Sequence, residues 1–204
     1  MVGSSPKGYI EKDLIDLTSE QRMKFSAILL GLALIVAVSF AMVRYVNIIR
    51  PGVLDLDIMG DQDGGIIINF DLGSLLSYFA VLVLTLILHE LLHGVAFWSA
   101  SGEKPIVGLK GIFIYVSAPP SEYFQRNKYL WVGAAPIILI SLVGVLLIPF
   151  LPSSLILQDV LFVTLNAAGS AGDLVMIYML LRYPSSSLIQ DLGSAVVIYG
   201  LHTP

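Results

Sequence analysis

Four apolar runs decide what this chain can fold into: Phe25–Val43, Leu75–Ser99, Tyr129–Leu151 and Leu155–Arg182. Crossing a bilayer takes roughly 20 consecutive apolar residues. Inside hydrocarbon every backbone N–H and C=O has to find its partner within the protein, so runs of this kind become helices. The first run is also longer than the apolar core of a signal peptide, about 7–15 residues, and reads as a retained span. Of 204 residues, 56% are hydrophobic and only 13% charged, too little polar surface for a soluble domain. The expected fold is an all-α membrane protein of about four transmembrane helices, with short β-hairpin segments at the membrane faces. Residues 1–24 form a cytoplasmic N-terminal segment, 25–182 the four-helix transmembrane domain and 183–204 a cytoplasmic tail.

The connections carry the remaining signals. The stretch 50–72 is acidic and rich in glycine, and Val53–Ile58 can pair with Ile66–Phe70 as a hairpin around 59–65. Its Asp61-Gln62-Asp63-Gly64 piece lacks the closing Glu of a calcium loop and reads as a solvated turn. Between the second and third runs, Ile106–Leu109 and Ile112–Val116 flank Lys110-Gly111 and predict a small hairpin at the membrane face. Ala195–Tyr199 is β-branched and predicts a strand added to that hairpin. Tyr123, Phe124, Tyr129 and Trp131 form an interfacial aromatic belt.

Lys and Arg collect before the first run, between the second and third, and at Arg182. The positive-inside rule then places both termini and the 101–128 segment in the cytoplasm, with Arg44 and Arg50 as contrary charges. The net charge of −4 and the lack of a basic cluster exclude nucleic acid as an expected partner. With no cysteine in the chain, any metal has to be held by His, Asp or Glu.

Polar residues inside the spans are therefore the informative ones. The second run contains His89-Glu90-Leu91-Leu92-His93. Residues four apart share a helix face, so the two imidazoles point the same way. They can share one zinc ion, and Glu90 beside them can take a proton from a water on it. A bare motif of this length also arises by chance in soluble helices. Here an ionisable residue at mid-membrane costs roughly 2.5–3.5 kcal/mol even on a lenient scale, so a cluster of three points to function. The fourth run holds Asp173 deep inside, in Asn166-Ala-Ala-Gly-Ser-Ala-Gly-Asp173. In the expected topology Asp173 and His93 lie at similar depth, which makes Asp173 the third ligand and Zn2+ the expected cofactor. Asp191, outside the span, is a fallback third ligand if the tail folds back, and His202 is a tail residue. Asn166, seven residues before Asp173, is a candidate to orient a substrate or stabilise an oxyanion. Interhelical hydrogen bonding is an equally weighted role for it. The small residues 167–172, with Gly94 on the second run, allow close helix approach.

His89-Glu90-Leu91-Leu92-His93-Gly94, the β-rich segment after it and the later Asn–Asp pair resemble the site-2 protease group of intramembrane zinc metalloproteases. They resemble more closely a family of small membrane zincin peptidases of unknown function, from about the second run to Tyr199. The resemblance implies zinc on His89, His93 and Asp173, Glu90 as catalytic base, Asn166 as the Asn ahead of the Asp, and a substrate strand added beside Ile106–Val116. Site-2 proteases carry a proline-containing Asn…Asp-Gly motif, whereas here the segment lacks proline and reads Asp173-Leu174. The expected function is a membrane-embedded zinc metallopeptidase acting on membrane or membrane-proximal protein segments. The alternative is a non-hydrolytic metal-binding membrane protein, a transporter or sensor, with the same ligands.

Overall fold

The computed structural model describes residues 6–16, 19–54, 72–110, 113–193 and 195–202. The hairpin and the calcium-loop resemblance considered for residues 53–70 lie largely outside them. In chain order the elements are strand β1 (Tyr9–Asp16), helices α1 (Gln21–Ile49) and α2 (Leu72–Ser101), and strands β2 (Ile106–Lys110), β3 (Phe113–Ser117) and β4 (Phe124–Gln125). Helix α3 (Arg126–Leu147), a 3-10 turn (Ser153–Leu155), helices α4 (Ile156–Gly169) and α5 (Ala171–Leu180), and strands β5 (Leu188–Asp191) and β6 (Ala195–Leu201) follow.

The four apolar runs form α1, α2, α3 and the α4–α5 pair, each long and apolar enough to cross a membrane. This is the build of a multi-pass membrane protein, mostly α with short strands. Large apolar side chains such as Phe40, Phe79, Leu86 and Leu142 are exposed around the bundle, as a lipid-facing surface requires. The fourth span is the central one: half of its apolar stretch is buried, against 6% for α1. The other three helices all pack on it.

That fourth span is not one continuous helix, as the apolar run predicts. It breaks at Ser170, whose hydroxyl donates to the Asn166 carbonyl (2.9 Å). The break falls within the small-residue stretch, where few side chains hold successive turns together. There α1 comes close: a Cβ on Gly31 would lie 3.4 Å from the Ala168 carbonyl oxygen and 3.6 Å from Ala171 Cβ. Lower on the same interface the Ser39 hydroxyl donates to Thr164 Oγ1 (3.4 Å).

Strands gather at the end of the bundle where α2 and α5 finish and α1 and α3 begin. The expected hairpin is present as antiparallel β2–β3, with Val107 opposite Val116. The 195–199 segment does form a strand, but not in that hairpin. It is β6 in a separate antiparallel sheet of order β1-β6-β5-β4. Its partners are Tyr9–Asp16 from the N-terminal segment, where the sequence signals no element, and the preceding β5. Burial explains the choice. Ile189, Val196 and Ile198 of the sheet pack with Ile15, Met23, Met176 and Leu180 in one apolar core that seats the sheet on α5.

Candidate metal centre

The i, i+4 spacing on α2 places the imidazoles of His89 and His93 on the buried face of the helix, with their Nε2 atoms 3.2 Å apart. Helix α5 starts just after the break at Ser170, and its first turn presents Asp173 at the same depth. Asp173 Oδ2 lies 3.3 Å from His89 Nε2 and 3.4 Å from His93 Nε2. The expected set of two histidines and one aspartate is thus brought together, and these three residues are the group able to hold a metal among the described residues.

The outer nitrogens decide the protonation of the rings. His93 Nδ1 is 3.0 Å from the Val132 carbonyl oxygen of α3. A carbonyl only accepts, so this nitrogen carries the proton. His89 Nδ1 is 3.0 Å from Asn166 Oδ1. The Asn166 amide nitrogen donates to the Pro136 carbonyl (3.1 Å), which fixes the amide's orientation and makes its oxygen an acceptor. Both Nδ1 atoms therefore donate. In a neutral ring the proton sits on only one nitrogen, which leaves each Nε2 as a bare lone pair. Two such lone pairs and a carboxylate oxygen converge with no proton between them. Asp173 Oδ2 is buried and has no hydrogen-bond partner among the described residues. A cation at the centre removes that conflict. Zinc bonds of about 2.0–2.1 Å at tetrahedral angles place ligand atoms about 3.3–3.4 Å apart, and the observed triangle of 3.2, 3.3 and 3.4 Å has that size. The residues fit zinc.

Residues 82–188 match the family described as "putative zincin peptidase". The chain belongs to that family. That description is of a zinc metallopeptidase, and the matched stretch contains every residue of the centre. No curated protein and no solved structure matches the chain.

Around the zincin centre lies a cleft of about 240 Å³ with contributions from α2, β3, α3, α5 and the β5–β6 turn. Glu90 lines it beside the ligands, and its Oε2 accepts the Val116 backbone N–H of β3 (3.0 Å). Gly94, one residue past the motif, lets the hairpin settle on α2: a Cβ there would touch Val116 Cγ1 at 3.4 Å.

Asp191 also reaches the cleft, because the tail folds back as β5. It does not join the ligand set, and Asp173 holds the third position. Asp191 instead accepts the Tyr129 hydroxyl (2.5 Å) and the Gly193 N–H (2.8 Å). Burial pushes its carboxyl above the ordinary range, with the Tyr129 and Gly193 hydrogen bonds pulling the other way. Gly193 has φ +85°, a conformation that favours glycine, and a Cβ there would meet the Tyr115 ring at 2.6 Å. Asn166 is fully buried, with its amide oxygen on His89 and its amide nitrogen on Pro136. Of the two roles expected for it, the structure displays interhelical hydrogen bonding, which engages one of the two N–H groups of its amide nitrogen. His202 stays in the tail, where its N–H donates to the Gly8 carbonyl (2.9 Å). The sequence reading missed Tyr129 as the partner of Asp191, and the backbone partners Val132 and Val116. The Tyr–Asp contact joins residues 62 apart in the chain, and a backbone partner is not marked by the side chain at its own position.

Proposed function

We propose that this zincin is a membrane-embedded peptidase that hydrolyses peptide bonds of membrane or membrane-proximal protein segments, with Glu90 as general base. The observation that carries the reading is the ligand triangle of His89, His93 and Asp173 with the Glu90 carboxylate in the same cleft, inside the span of α2. Bound there, zinc supplies Lewis-acid chemistry, lowering the pKa of a water toward about 7 and polarising a carbonyl. The protein's own residues do the rest. His89 and His93 keep their Nε2 lone pairs aimed inward because their Nδ1 protons are engaged. Glu90 takes the proton from the attacking water and returns it to the leaving amine.

Strand β3 supports a place for the substrate. One edge pairs with β2, and the other turns the Val116 N–H toward Glu90. An extended peptide added along that second edge would lie across the cleft, held by main-chain hydrogen bonds. A substrate helix has to unwind first, because its carbonyls are otherwise engaged.

The same end of the bundle carries Arg22, Lys24, Lys104, Arg126, Lys128 and Arg182, which supports cytoplasmic termini and a cleft open to that side. Arg50, one of the two contrary charges, has a structural use: its guanidinium donates to the Leu151 carbonyl and to Ser153 Oγ.

Glu90→Gln keeps the shape of the side chain and removes the base. Turnover of a quenched-fluorescent peptide library by detergent-solubilised protein should fall about 10²–10⁴-fold, with zinc content unchanged. Undiminished cleavage by that variant would remove Glu90 from the chemistry. Cleavage absent from the wild type as well would favour a metal-binding transporter or sensor.

A further inference from the structure

Pro136 lies inside α3, where it is a poor helix residue for two reasons: it has no N–H to give, and its ring crowds the carbonyl four residues back. That carbonyl belongs to Val132, and it accepts the His93 Nδ1 proton at 3.0 Å. Proline at 136 therefore leaves without its helical donor the one carbonyl that orients His93. The Pro136 carbonyl itself accepts the Asn166 amide at 3.1 Å, and this bond directs Asn166 Oδ1 at His89 Nδ1, 3.0 Å away. One residue thus stands behind both rings, by an absent N–H on one arm and by its own carbonyl on the other. All the groups concerned are buried. Val132 is 3% exposed and Asn166 0%, so water is not available to replace either partner.

We infer that Pro136 is a positioning residue for both zinc-binding imidazoles, and that its missing N–H, rather than the shape of its ring, is what serves His93. The inference rests on the zinc reading of His89, His93 and Asp173. A ligand histidine whose outer nitrogen is held by a fixed acceptor keeps its tautomer and ring angle, and loss of such a partner typically weakens metal binding by 10–100-fold. Pro136→Ala returns an N–H to the Val132 carbonyl. The helical bond then competes with His93 for the same oxygen, while α3 gains a better helix former.

The experiment compares zinc affinity of purified full-length wild type, P136A and a third protein carrying lactic acid at 136, using competition with a chromophoric chelator. Lactic acid has the alanine side chain on an ester linkage, so it lacks both the ring and the N–H. The melting temperature of the metal-free proteins is read in parallel. The expected result is a roughly tenfold loss of zinc affinity in P136A with no fall in metal-free melting temperature, and recovery of most of that loss in the ester protein. Cobalt(II) spectra should follow the same order, with P136A alone distorted. Wild-type affinity in P136A overturns the inference and leaves the zinc reading intact. Equal losses in P136A and the ester protein also overturn it, because the ring would then be what matters. A wild type that binds no zinc removes the zinc reading and this inference together.

Discussion

The two ends of the bundle treat a buried carboxylate oxygen in opposite ways. At the end capped by the sheet, Asp173 faces two imidazole nitrogens at 3.3 and 3.4 Å, and Asp191 accepts hydrogen bonds from Tyr129 and Gly193. At the other end of the same span, Asp159 is 7% exposed, and its Oδ2 has no hydrogen-bond partner among the described residues. Its surroundings are apolar. Met42, Val46, Ile148 and Ile156 form the core there, and Gly144 of α3 comes so close that a Cβ would lie 3.5 Å from Asp159 Oδ1. Burial of a carboxylate is therefore not the mark of a site. Convergence of proton-free ring nitrogens on the carboxylate is, and among the described residues it occurs around Asp173.

The comparison is most exposed to failure through the response of each end to zinc. Adding zinc at about a thousand times its Kd should stabilise the wild type by about 4 kcal/mol through mass action. Asp173→Ala should lose nearly all of that gain, read as the shift of melting temperature between zinc and chelator. Asp159→Asn should keep the full shift. A full shift in the Asp173 variant, or a lost one in the Asp159 variant, would erase the distinction between the two ends.

A smaller effect separates the polar contacts within the fourth span. Asn166→Ala frees the His89 Nδ1 proton and should weaken zinc binding about 10–100-fold. Thr164→Val removes a hydroxyl contact to Ser39 on the α1 side and should leave zinc affinity unchanged. Chelator competition reads both. Similar losses in the two variants would mean that general bundle packing, not imidazole orientation, sets the affinity.

The smallest effect concerns Asp191. Its folded-state pKa stands above the unfolded value of about 4 because of burial. The folded state then binds its proton more tightly than the unfolded state does. Stability from this group is fully present below about pH 4 and is lost as pH rises through the elevated value. Asp191→Asn retains an acceptor for Tyr129 and should flatten the decline of melting temperature in that range, measured without metal. An unaltered pH slope would show that Asp191 is better solvated than its burial implies.

Much of this architecture can be read from residue order, and the parts that cannot share a cause. His89, Glu90, His93 and Asp173 stand out because they interrupt apolar runs, and helical spacing fixes their relative height. The β2–β3 hairpin is legible for a similar reason, since both strands and their turn lie within a dozen residues. Residues 195–199 show strand character but not the choice of partner. That choice went to Tyr9–Asp16, about 180 positions away, and was decided by a core that forms only when the sheet lies on α5. The break at Ser170 is hidden because the run stays apolar and lacks proline. The Val132 carbonyl is hidden as an atom, although Pro136 four residues later announces a carbonyl without its helical donor.

The most direct test of the centre is X-ray absorption at the zinc edge on purified protein loaded with one equivalent of zinc. The account predicts a shell of nitrogen and oxygen at about 2.0–2.1 Å with the multiple-scattering signature of two imidazoles, reduced to one in His93→Ala. A zinc shell with no imidazole, or two imidazoles that persist in His93→Ala, would contradict it.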